Sequence, residues 1–149
     1  MTILDIFERV QPLEQRKFFN YLNDTQDELK ALYGETRILS YTETAPEKYD
    51  TFADLPATGE AELRYLLLDT GLIYKWVTDE YISMIQLCTA LADTIAIDPL
   101  YHPAIVDNIK FFAGAGDAFK GEFLRKSKEA YLRLWNINAR GKQVKRARW

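Results

Sequence analysis

Between Glu60 and Ile97 the apolar residues Leu63, Leu66, Leu67, Ile73, Tyr74, Val77, Tyr81, Met84, Ile85, Cys88, Leu91 and Ile95 recur at intervals that fit one face of a helix. This stretch constrains the fold most, because it would supply the main core stripe. Gly71 or the polar run Thr78-Asp79-Glu80 is the expected break into two helices, and Ile82 to Ala92 reads as buried helix. Asp98-Pro99 ends the pattern, since a residue before proline is pushed out of the α region. With no convincing run of alternating strands elsewhere, the chain is expected to be all-α.

The flanking segments are read in the same way. Thr2 with Asp5 resembles a capping box opening a short helix through Val10, and Pro12 suits the first turn of the next. That second helix turns Leu13, Phe18, Leu22, Leu29, Leu32 and Tyr33 to one side and stops at Gly34. Residues 35–59 lack helical periodicity, contain Pro46 and Pro56, and look extended over Ile38 to Thr42. They read as a long inter-helix loop, either partner-contacting or of no special role. Pro103 restarts a helix carrying Ile105, Ile109 and Phe112, and Gly114-Ala115-Gly116 breaks it. Asp117 then opens a last helix, about Ala118 to Asn138, with Phe119, Phe123, Ala130, Tyr131, Leu134 and Trp135 on one stripe. The expected architecture is a small helical bundle of four to five helices over residues 1–139, followed by an extended basic arm over 140–149.

Charge is divided along the chain. Residues 1–100 hold 8 Lys and Arg against 18 Asp and Glu, whereas residues 101–149 hold 11 against 4, so the net −3 is a cancellation. Such a sign change often marks a basic arm or a face meant for an acidic partner. The first residues lack the basic start and apolar run of an export signal, and no apolar stretch approaches the ~20 residues of a membrane span. Neither export nor a membrane partner is expected.

The chemistry of catalysis is thin. One Cys and one His cannot build the usual four-ligand zinc sites. His102, beside Pro103, reads as a surface or helix-terminal imidazole, and Cys88 as a buried structural thiol. Gly114-Ala115-Gly116-Asp117 has Phe119 where a dinucleotide fingerprint needs its third glycine and reads as a helix corner. Adjacent acids such as Asp79-Glu80 and Asp27-Glu28 read as solvated faces, and no calcium-loop pattern is present. No catalytic residue, cofactor or metal is expected, and the chain is not expected to be an enzyme.

The strongest local feature is the arm. Arg140, Lys142, Lys145, Arg146 and Arg148 surround Val144 and lead to Trp149, with no acid among them. Five cations can bind phosphates in a salt-dependent way. Trp and Arg are also enriched at interface hot spots. Protein docking, nucleic-acid binding and a solvated tail all remain open on these residues alone.

The run Pro103-Ala104-Ile105-Val106-Asp107-Asn108-Ile109, the Gly114 to Asp117 corner, Gly121-Glu122-Phe123-Leu124, Ala130-Tyr131, Leu134-Trp135 and the basic Trp-ended tail together resemble tailed-bacteriophage head-to-tail adaptor (connector) proteins. The helix through Phe18 to Asp24 ending at Gly34, and the loop after it, look like the amino-terminal helix and loop of that family. The resemblance implies a non-enzymatic helical bundle of the virion neck, present in the host cytoplasm during assembly. It implies a homo-oligomeric ring, commonly dodecameric, under the portal protein, through which DNA passes without sequence-specific binding. Carried onto this chain, the portal anchor is the arm Arg140, Lys142, Val144, Lys145, Arg146, Arg148 and Trp149. The surface facing the next tail component, a nozzle or tail completion protein, is the loop containing Tyr41, Thr42, Tyr49 and Phe52. A nucleic-acid-binding helical accessory protein using the same arm is the alternative.

Overall fold

Thr2 caps the first helix, α1 (Ile3–Arg9), as the spacing predicts: its hydroxyl accepts from the Asp5 amide at 3.1 Å and the Asp5 carboxylate accepts from the Thr2 amide at 2.9 Å. The computed structural model describes residues 1–39 and 45–135. Pro12 lies in the connection, not in a helical turn, and α2 (Gln15–Tyr33) begins after it. Phe18, Leu22 and Leu29 of α2 are fully buried, while Leu32, expected on the same side, faces solvent. Gly34 ends α2 with a φ of 83°, a value that L side chains rarely adopt. A single helical turn, α3 (Glu35–Ile38), follows.

The all-α expectation is overturned after α3. The chain forms a four-stranded sheet in the order β1 (Glu47–Tyr49), β2 (Arg64–Leu67), β3 (Ile73–Val77) and β4 (Glu80–Ser83). β1 pairs with β2 in parallel, and the other pairs are antiparallel. The fold is therefore mixed α/β, and helical bundle is the wrong description. Residues assigned to a helical core stripe alternate instead with period two. Leu66 and Ile73 point to the helices, whereas Tyr65, Tyr74, Trp76 and Tyr81 point away. Two tight reversals make this possible. Gly71, at φ 73°, turns β2 into β3, and Thr78-Asp79 turns β3 into β4 with Thr78 at φ 61°.

The expected buried helix over Ile82 to Ala92 is likewise replaced by the end of β4 and an irregular segment. Side chains tie that segment down. Asn23 of α2 donates to the Cys88 carbonyl at 3.0 Å and accepts from the Cys88 amide at 2.8 Å, as a neighbouring strand would. Asp93 accepts from the Thr89 and Ala90 amides at 2.8 and 2.9 Å, closing the next turn.

Beyond the sheet the chain returns to helix much as its sequence predicts. Asp98 caps a short 3₁₀ turn (Pro99–Tyr101) that runs into α4 (His102–Phe112), with Pro103 in its first turn. Gly114 and Gly116, at φ 86° and 138°, make the corner into α5 (Ala118–Trp135). The expected continuation to Asn138 falls outside the described residues. One apolar cluster joins both layers: Phe18, Leu22 and Leu29 of α2, Ile105 and Ile109 of α4 and Phe123 of α5 share it with Leu66 and Ile73 of the sheet. Backbone links reinforce the junction, since Leu39 bridges Ile97 and the Asp98 amide donates to the Ile38 carbonyl at 2.8 Å.

Candidate interaction surfaces

The outward face of the sheet is aromatic. Tyr65 and Tyr74 are cross-strand partners, as are Trp76 and Tyr81, and the Trp76 and Tyr81 rings meet edge to face at 4.8 Å. Residues 50–60 cross this face. The Pro56 carbonyl accepts from the Tyr81 hydroxyl at 2.6 Å, the Glu60 amide donates to the Tyr65 hydroxyl at 2.8 Å, and Gly59 rests on the Trp76 ring. Phe52, in a short 3₁₀ turn capped by Thr51 and Asp54, lies edge-on to Tyr74 and Tyr81 yet stays 53% exposed. Tyr65, by contrast, is sealed beneath the crossing segment.

Register also sorts the charges. Lys48 pairs with Leu66 and Arg64 with Lys75, which puts all three strand cations on the side of the sheet that carries Leu66 and Ile73. The aromatic side receives Glu47 from β1, and the segment that crosses it holds Asp50, Asp54 and Glu60 and no Lys or Arg. All four carboxylate residues are exposed. Tyr49 donates to Glu47 at 2.9 Å, and this bond raises its hydroxyl pKa above the ordinary value. Burial does the same for Tyr81. The face thus presents neutral hydroxyls, aromatic edges and anions.

The helical layer holds a buried polar knot. Asn108 of α4 donates to the Thr25 hydroxyl at 3.0 Å and to Glu28 at 3.3 Å, and accepts from Lys120 at 3.1 Å, while Lys120 also pairs with Glu28. Lys120 lies over the Phe123 ring at 4.8 Å, and the Lys126 ammonium meets Asp107 at 2.7 Å. These contacts lock α2, α4 and the first half of α5 together, and separate ones hold the end of α5. There Trp135 is fully buried, donates its indole N–H to the Arg37 carbonyl at 2.8 Å, and carries the Arg37 guanidinium over its ring at 4.7 Å.

The candidates weighed for catalysis fall elsewhere. His102 starts α4, but it is buried, not at the surface, with Nε2 at 3.0 Å from the Ile97 carbonyl. Burial lowers its pKa and favours the neutral ring. Cys88 is buried as expected, though in the irregular segment, and burial raises its thiol pKa to about 11. A thiol in that state is a poor nucleophile at neutral pH. The groove of about 590 Å³ beside it is lined in part by Lys75, Gln86, Thr89 and Asp93, and Asp93 is committed to its turn. Among the described residues no group of three or more His, Cys, Asp or Glu could hold a metal ion, and no helix is long and apolar enough to cross a membrane.

Of the residues expected to face the tail, Tyr49 and Phe52 lie on the outward sheet surface; Tyr41 and Thr42 lie outside the described residues. The whole arm, Arg140, Lys142, Val144, Lys145, Arg146, Arg148 and Trp149, lies outside them too. Sequence reasoning missed Tyr65, Tyr74, Trp76 and Tyr81 as one surface because it set them on a helix. The available signal was the clustering of β-branched and aromatic residues in Ile73-Tyr74-Lys75-Trp76-Val77. No protein-family model matches the chain, and no curated protein or solved structure matches it either.

Proposed function

We propose that the chain is a structural head-to-tail adaptor of a tailed phage, forming a ring that docks on the portal protein through residues 140–149 and joins capsid to tail for DNA passage. The support begins with the residues that carry the resemblance. From Pro103 to Trp135 they form a helical hairpin about the Gly114 to Gly116 corner. The observation that carries the reading is the anchoring of Trp135 at the end of α5, from which the basic segment departs. A cationic, Trp-ended segment leaving a rigid helix suits docking, and a ring repeats that contact so that modest single affinities add up. In this reading the face with Tyr49 and Phe52 meets the next tail component.

Deleting residues 140–149 tests the arm. Co-sedimentation with the portal should be lost while the helical circular dichroism stays unchanged. Undiminished portal binding by the shortened chain sinks the assignment. The same protein should be monomeric alone and ring-forming on the portal. Steeply salt-dependent DNA binding through the arm, without portal binding, would instead favour the accessory-protein reading.

A further inference from the structure

We propose that, in the free chain, the acidic aromatic face of the sheet is the docking site of the chain's own basic segment, residues 136–149. The two surfaces complement each other in sign and in kind. The face carries Glu47 by register, the segment crossing it beside Phe52 holds exposed Asp50, Asp54 and Glu60 and no cation, and the register turns every strand cation to the other side of the sheet. The segment holds Arg140, Lys142, Lys145, Arg146 and Arg148, no acid, and Trp149. Carboxylates accept paired hydrogen bonds from guanidinium, and exposed rings attract both cations and the Trp indole. Phe52 is the natural contact for such a group, being apolar, half uncovered and held in place by Tyr74 and Tyr81.

Reach and connectivity favour the chain's own segment over a separate ligand. It follows Trp135, whose indole donates to the carbonyl of Arg37 in α3, two residues from Glu35, whose carboxylate accepts from the Ile73 amide of β3 at 3.2 Å. Residues 136–149 can span roughly 45–50 Å when extended, enough to round an edge strand. A tether of that length holds its end at millimolar effective concentration, so weak electrostatic contacts suffice. This goes beyond the adaptor reading and gives it an order of events. A portal that takes the segment also uncovers the face meant for the next component.

The test is amide hydrogen exchange on the full-length chain without any portal, so its outcome is independent of whether the adaptor reading holds. Asp50 and Glu60 are exposed, and the bonds that hold them run through the backbone: the Asp50 carbonyl accepts from the Asp69 amide and the Glu60 amide donates to the Tyr65 hydroxyl. At low salt, amides in residues 50–60 should exchange at least ten times more slowly than in the Asp50→Lys/Glu60→Lys chain or the Arg146→Glu/Arg148→Glu chain. High salt should remove the difference. Combining all four substitutions restores opposite signs and should recover protection, which a merely destabilised loop would not do. Phe52→Ala should weaken protection without altering its salt dependence. Equal exchange in all variants overturns the proposal. Protection that grows with protein concentration also overturns it, because the occupant is then another copy.

Discussion

Gly59 lies so close to Trp76 that a Cβ built on it would sit 2.8 Å from the Trp76 Cβ and 2.9 Å from two ring carbons. Those atoms belong to the base of the side chain, where rotation gives little relief. Gly59→Ala should therefore cost about 1–3 kcal/mol by overpacking, read as a lower urea midpoint at unchanged slope, and should shift the Trp76 emission. Glu35 poses a different problem. It is 4% exposed, its Oε1 accepts from the Ile73 amide, and its Oε2 has no partner. Burial raises its pKa above the ordinary 4.5, so the folded chain holds this proton more tightly than the unfolded one. Its contribution is then fully present below the unfolded value and is lost as pH rises through the folded one. Glu35→Gln should be more stable than the parent near neutrality, with the gap closing in acid. A gap that stays constant with pH would show that Glu35 titrates normally. Neither residue is legible as important in the sequence, because each is defined by a neighbour more than ten positions away.

At the level of elements, the helices were readable and the strands were not, for identifiable reasons. α1, the end of α2, the start of α4 and the corner before α5 are announced by Thr2 with Asp5, Gly34, Pro103 and the Gly114 to Gly116 pair, all local signals. The β3–β4 hairpin lacks its usual signal. Its two-residue turn is Thr78-Asp79, where the backbone demands a positive φ at the first position and Gly is favoured. A β-branched residue at φ 61° is strained, so Thr78→Gly should raise stability by about 0.5–1 kcal/mol in urea unfolding despite the added freedom of the unfolded chain. No gain would mean that the turn relaxes without strain in solution. The short strands added to the confusion, since Leu63, Leu66 and Leu67, then Ile73, Tyr74 and Val77, fit helical spacing as well as alternation. Only the grouping of Tyr, Ile, Trp and Val within Ile73 to Val77 favours strand. The same ambiguity hid the aromatic face formed by Tyr65, Tyr74, Trp76 and Tyr81.

At the scale of the molecule, the sheet is inserted between α3 and α4 but does not own a separate interior. Its inward residues Leu66 and Ile73 belong to the same buried cluster as Phe18, Ile105 and Phe123, and Glu35 and Leu39 bond across the junction. Its outward residues Tyr65, Trp76 and Tyr81 pack beneath residues 50–60 and form a second, smaller aromatic layer. That layer rests on three of the strands whose other face supports the helices, so it has no means of surviving their loss. Unfolding should consequently be a single transition. The indole N–H signals of Trp76, in the sheet, and Trp135, at the end of α5, provide separate reporters for each layer. Both should vanish at the same urea concentration, together with the helical circular dichroism. An earlier loss of the Trp76 signal would mean that the sheet opens as its own unit, leaving the helices to support the basic segment alone. Coincident loss would instead tie the acidic face and the root of the basic segment to one rigid body, the arrangement required for the segment to meet that face in a defined way.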